Sequence, residues 1–174
     1  MELNIGAGES PKKAGIINAD LYPGSNVDVV FDACRTWPLK TGCVSRIQSD
    51  HVLEHLHDPA SFFREAWRVL KPSGKPYNIV LSLPYGMSDE GFGDPTHIRQ
   101  YLPQTFCALQ PGYAQAVRNS QHEAWNAPFE VVAVYIRIHS SLRWLLKPGI
   151  RWLGLKIVPF LWNAFTELRV YLKT

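Results

Sequence analysis

The apolar positions of the first eighty-odd residues fall into short runs, most of which end on a glycine, an acid or a proline. Leu3-Asn4-Ile5 predicts a strand that stops at the glycine turn Gly6-Ala7-Gly8. Gly15 to Asp20 predicts a second strand closing on an acid, and Val27 to Phe31, β-branched and apolar, a third closing on Asp32. Val44 to Ser49 is a weaker fourth, and Tyr77 to Leu83 a fifth stopped by Pro84. Between these two, Asp58-Pro59 marks a helix start, with Asp as the cap and Pro in the first turn. Phe62, Phe63, Ala66, Trp67 and Leu70 then form a stripe at helical spacing, and Pro72 and Gly74 set its end.

Beyond Pro84 the pattern loosens. Tyr85 to His97, with Gly86, Gly91, Gly93 and Pro95, predicts a long loop, and such loops in compact domains are more often functional than not. Pro103 to Gln110 reads as a short helix and Phe129 to Ile138 as a sixth strand. Residues 140–165 read as helical, broken at Pro148-Gly149 and Pro159, and Leu168 to Leu172 alternates as a seventh strand. Strands alternating with crossovers predict an α/β protein with a mostly parallel sheet. The last two strands, with no full-length helix between them, predict an antiparallel edge.

With 174 residues, 46% hydrophobic and 19% charged, the chain has the content of one folded domain, 1–174, and not that of a disordered segment. Cys34, Cys43 and Cys107 are odd in number and lack metal-type spacing, which points to a reducing, cytoplasmic setting rather than a disulfide scaffold. The N-terminus shows no signal-peptide pattern. The charge-free run from Ile157 to Thr166 is far short of the roughly 18 residues of a membrane span.

Charge is unevenly spread: residues 1–130 carry a balance of −3 and residues 131–174 one of +6. The tail intersperses Trp144, Trp152, Phe160 and Trp162 with Arg143, Lys147, Arg151 and Lys156. That mixture suits either a membrane interface with a lipid-linked substrate, or an apolar cover packed on the sheet or on a second copy of the chain. Basic residues mixed with bulky aliphatics, with no RNA-binding motif, do not point to nucleic acid.

Candidate chemistry gathers at three successive strand ends: Gly6-Ala7-Gly8, Asp20 and Asp32. Doubly wound sheets bind ligands beyond the carboxyl ends of their strands. A glycine turn admits close approach, an acid at the next strand end accepts from both ribose hydroxyls, and a further acid can accept from the adenine amine. The ligand so described is an adenine nucleoside without a large phosphate site.

On these residues the chain resembles the class I S-adenosylmethionine-dependent methyltransferases, in the family called methyltransferase type 11. The likeness rests on Leu3 to Gly8, Asn18-Ala19-Asp20, Asp32-Ala33, His51 to Leu56, Asp58-Pro59 and Arg68 to Gly74, in order over about half of the chain. Asp94-Pro95-Thr96-His97 is similar to an element of the family's short members. The resemblance implies a Rossmann-like, doubly wound seven-stranded sheet, mostly parallel with an antiparallel C-terminal strand. Residues 1–84 would form the cofactor-binding half and 85–174 the substrate side, with 140–165 as an apolar, basic helical insertion.

The resemblance also implies S-adenosyl-L-methionine as cofactor. Gly6, Ala7 and Gly8 would face its methionine end, Asp20 with Leu21 its ribose, Asp32-Ala33 its adenine, and Asp50-His51 the sulfonium side. Two departures stand out: the first crossover is clipped, and the chain opens at the first strand without the helices that commonly cover the cofactor. The acceptor side falls to His97, Arg99, Tyr101 and Tyr85. His97 is read either as a base near neutral pH or as part of a rigid turn.

The function expected is methyl transfer to a small-molecule, sugar or lipid-linked acceptor. The alternatives are a cofactor-binding module that works only with a partner chain and, as a third reading, a zinc hydrolase using His51-x-x-Glu54-His55. No metal is expected, although His51-Val52-Leu53-Glu54-His55 matches the inverted zinc-protease pattern, which would need a helix over those residues and a third ligand.

Overall fold

The computed structural model describes residues 1–72, 74–109, 127–146 and 163–174, and all structural statements below concern these. Seven strands form one sheet: β1 (Glu2–Ile5), β2 (Ile16–Asp20), β3 (Val29–Val30), β4 (Arg46–Asp50), β5 (Ile79–Pro84), β6 (Glu130–Ile138) and β7 (Phe165–Lys173). Their order is β3-β2-β1-β4-β5-β7-β6. The first five pair in parallel. β7 runs antiparallel between β5 and β6, so the late pair closes the sheet as the sequence predicts. β5 is buried along its whole length, as a central strand with both faces covered must be.

The strand order reverses at β1, which lies between β2 and β4, and the carboxyl ends of β1, β2 and β4 therefore open onto a common crevice. Helix α1 (Pro59–Val69) packs Phe62, Phe63, Ala66 and Val69 into the core. Asp58 caps it, its carboxylate accepting from the Ser61 amide at 3.0 Å. The helix ends at Val69, before Pro72, because Leu70 turns extended and Val44 pairs with it in an isolated bridge. Trp67, read into the apolar stripe, instead stands exposed with its ring edge against Phe129.

The clipped crossover between β1 and β2 holds no helix, so its backbone groups need other partners. Asn18 supplies them: its side-chain amide donates to Ser10 O and Asn26 O and accepts from Asn4. Asn26 in turn donates to Glu9 O. The third strand is only the two residues Val29–Val30, shorter than the apolar run predicts, and the fourth starts at Arg46. The 85–97 segment is not loop throughout. It contains α2 (Asp89–Phe92), a single turn capped by Ser88, whose hydroxyl accepts from Gly91 N. Of the helical stretch expected over 140–165, Ser140–Leu146 forms a 3-10 helix, Phe165 belongs to β7, and residues 147–162 lie outside the described residues. Among the described residues no helix is long and apolar enough to cross a membrane.

The segment between β3 and β4 is tied down by one clamp on α1. Arg68 makes a bidentate pair with Glu65 at 2.6 and 2.8 Å and donates to the carbonyls of Leu39 and Trp37. Glu65 also accepts from the Trp37 amide at 2.7 Å, which seats the buried Trp37 ring on Phe62. The Arg68 guanidinium holds the Glu65 carboxyl below its ordinary value of 4.5. A carboxyl lowered by folding contributes stability above its unfolded pKa and loses it as pH falls through the folded value. Glu65→Gln should therefore cost about 1.5–3 kcal/mol near neutral pH. Denaturant melts should show that difference shrinking once the pH drops below the ordinary glutamate value, and a pH-independent gap would refute the assignment.

Candidate cofactor site

The residue after β1, Gly6, has φ +74°, and a Cβ built there would come 2.1 Å from Val52 Cγ2. Only glycine permits the β1 turn to lie this close to the segment after β4. The amides of Gly6 and Ala7 both donate to Ala19 O, at 2.9 and 3.0 Å. Asp20 completes the turn: one carboxylate oxygen accepts from Gly8 N at 2.9 Å and the other from Tyr22 N at 3.1 Å. Each oxygen keeps a further acceptor lobe for a ligand hydroxyl.

At the next strand end Asp32 accepts from Cys34 N at 2.8 Å and pairs with Arg35 at 3.2 Å. After β4, His51 has φ +53°, a conformation that costs a β-carbon-bearing residue energy and that structures retain where the surroundings dictate it. Its amide donates to Ser82 O at 2.9 Å. Its ring Nδ1 stands 3.3 Å from Glu54 Oε1, and that carboxylate, with smaller help from Glu167 and Asp50, raises the His51 pKa above 6.5 against the effect of burial.

Gly6, Asp20, Leu21, Asp32, Ala33 and His51 all line one cavity of about 710 Å³. That volume is of the size that takes a nucleoside cofactor. Ala7 and Gly8 form the turn beside it rather than its wall. Asp50 is not brought to it: its carboxylate accepts from Gln48 at 2.7 Å and faces a separate cleft with Asn4 and Arg46. Another cleft, of about 560 Å³, lies over Tyr77, Tyr135 and Tyr171 near the sheet edge and contains none of the strand-end residues. The strand-end residues make the larger of these two clefts the candidate cofactor site.

The acceptor-side residues are placed elsewhere. Tyr101 is buried, donates its hydroxyl to Leu53 O at 3.1 Å and stacks on Phe106, and burial pushes its pKa up. Arg99 donates to His57 O, and Tyr85 packs edge-on against Phe165. His97 has its Nδ1 at 3.3 Å from Gly91 O and its ring against His55, and it is not among the residues lining the cavity. The inverted zinc-protease arrangement is not formed: Leu53–His55 makes one 3-10 turn and His51 lies outside any helix.

Sequence reasoning missed Tyr22, Phe31, Val52, His55 and His57 as cavity lining. Tyr22 carries a readable signal, an aromatic side chain two residues beyond a strand-end acid. Val52 and His57 carry none, since only the turn after β4 brings them round.

A family model described as a methyltransferase domain matches residues 12–77. An uncharacterised 37.1 kDa protein in transposon TN4556 of Streptomyces fradiae is 41% identical over 49 residues, covering 28% of this chain. The match spans about one seventh (14%) of that relative's length. A SAM-dependent methyltransferase from Archaeoglobus fulgidus shares the fold with TM-score 0.60 and 18% identity, over 98% of this chain and 85% of the other. A methyltransferase of Haloferax volcanii, in complex with the Trm112 methyltransferase activator, does so with TM-score 0.56 and 15% identity, over 97% and 79%. Sheet order, glycine turn and strand-end acids agree with these likenesses: residues 12–77 match a methyltransferase domain, and the fold is the one seen in S-adenosylmethionine-dependent methyltransferases.

Proposed function

We propose that the chain transfers the methyl group of S-adenosyl-L-methionine to an oxygen, nitrogen or carbon nucleophile of a small-molecule, sugar or lipid-linked acceptor, in the cytoplasm. The observation that carries this reading is the gathering of Gly6, Asp20, Asp32 and His51 on one cavity. When bound, the cofactor would supply a methyl group whose leaving group is the neutral thioether, and an acceptor carrying a proton would release it to water or a base as the new bond forms. The chain's own residues supply alignment and exclusion of water rather than a nucleophile. Asp20 would take the ribose hydroxyls, Asp32 with Ala33 the adenine, and the Gly6–Gly8 turn the methionine end. His51 would stand beside the sulfonium.

A second reading, that the enzyme works only with a partner chain, draws on the cavity rim. Leu21 and Tyr22 are 53% and 72% exposed there. The activator-bound Haloferax enzyme is a precedent in the same fold. The basic tail bears on a lipid-linked acceptor. Binding of the protein to anionic vesicles at low salt, weakened by added salt, is the outcome this version expects, and its absence would remove it.

Asp20→Ala removes the acceptor of Gly8 N together with the ribose contacts. Calorimetry with S-adenosylhomocysteine should show an affinity loss of roughly 10- to 150-fold, as for hydrogen bonds to a charged group. Unchanged affinity would overturn the cofactor placement. Gly6→Ala should weaken the same binding about tenfold or more through the Val52 clash. The Gly6→Ala, Val52→Ala double variant should recover part of that loss, leaving only the cost of a left-handed alanine, about 1–2 kcal/mol.

A further inference from the structure

We propose that Glu54, His55 and His97 form a binding site for a divalent transition-metal cation of the zinc type, at the wall of the cofactor cavity. One ligand atom from each lies within 4.8 Å of the others, although His97 is distant from the other two in sequence. The Asp94–Thr96 turn brings it there. Asp94 Oδ1 accepts from Thr96 N at 2.8 Å and from its hydroxyl at 2.6 Å, and Ile98 N donates to Glu54 O at 2.8 Å, which fixes the two segments together.

Glu54 is the second, independent sign of a ligand. It is 1% exposed, and among the described residues neither carboxylate oxygen has a hydrogen-bond partner. Its one ion-pair partner among the described residues is the His51 ring, with Nδ1 3.3 Å from Oε1. A buried carboxylate whose one ion-pair partner is a half-exposed imidazole is costly, and a cation shared with two further imidazoles lowers that cost.

The histidines are arranged as metal ligands are. His55 Nδ1 lies 3.2 Å from Thr96 O and His97 Nδ1 3.3 Å from Gly91 O. With those nitrogens donating to backbone carbonyls, each Nε2 presents a lone pair, as in the outer shell of histidine metal sites. The His55 Nδ1 contact is shared with the Thr96 hydroxyl, also at 3.2 Å, and Asp94 Oδ2 lies 3.8 Å from His97 Nε2. Two imidazoles and one carboxylate suit zinc or iron(II) and leave a coordination position for water. Sequence spacing offered His51 as the second histidine; the fold substitutes His97. A cation there would pin residues 94–98 to the turn after β4 and, through His55, place positive charge on the cavity wall. This site stands or falls independently of methyl transfer.

The test uses the full chain, stripped with chelator and titrated with zinc chloride by calorimetry, with cobalt(II) absorption reporting the ligand set. One zinc per chain is expected. His55→Ala and His97→Ala should each weaken it at least tenfold, while His139→Ala, which is not one of the three ligands, should not. Circular dichroism of the two variants controls for folding, and Glu54→Gln tests the carboxylate. Absence of stoichiometric zinc, binding unchanged in folded His97→Ala, or a larger loss in His51→Ala than in His97→Ala would each overturn the proposal.

Discussion

The absence of a side chain at Gly6 lets the end of β1 press against Val52, and the arrangement of the cofactor site follows from that approach. With the two segments in contact, His51 must turn back through a left-handed conformation to hydrogen-bond Ser82, so that Val52 and His51 both reach the cavity. The same approach leaves the amides of Gly6 and Ala7 free to converge on Ala19 O. That brings Gly8 within reach of Asp20. A methyl group at position 6 would strain both sides of the crevice at once. Asp20 holds the turn and, on the proposed placement, would also offer acceptors to the ligand, so substitutions there would act on structure and binding together.

A crossover helix ordinarily follows such a turn and satisfies its own backbone. Here an amide cluster, Asn4, Asn18 and Asn26, takes over that work. Side-chain amides can bridge a short loop only where donor and acceptor angles coincide, so the cluster constrains the path from Glu9 to Asn26 tightly. Asn18, buried between β1 and β3, is the residue that can least be replaced by an apolar isostere. Leucine would leave Ser10 O and Asn26 O without their donor.

Where the sequence was legible, one residue type carried one local meaning. Asp58-Pro59 could only begin a helix, and the strand ends at Gly6, Asp20 and Asp32 announced themselves because glycine and aspartate interrupt β-branched runs. Legibility failed where partners come from far along the chain. The end of α1 is set by Val44, not by the nearby Pro72. Asp50 and His51 are neighbours in sequence, but alternation along β4 and the left-handed turn after it send them to different clefts. Tyr101 looks like a polar loop residue until Leu53 O and Phe106 enclose it. The loop from 85 to 97 hid a helical turn because its cap, Ser88, is a residue equally at home in a loop.

If the cofactor sits as proposed, the charge at the strand ends would bear on the balance between substrate and product. S-Adenosylmethionine carries a fixed positive charge on sulfur that the product lacks, and two carboxylates, Asp20 and Asp32, lie on the same cavity wall. With the cofactor seated as proposed, their attraction for the sulfonium would be lost on methyl transfer, and product would be held less tightly than substrate by whatever that attraction contributes. The contribution is small: Asp32 is paired with Arg35, and both acids are partly reached by solvent, where screening at physiological salt acts over about 8 Å. Hydrogen bonds to the ribose, common to both forms of the cofactor, must then supply most of the affinity. On the proposed function both forms of the cofactor would then be held by much the same bonds, and release would fall to the open rim at Leu21 and Tyr22.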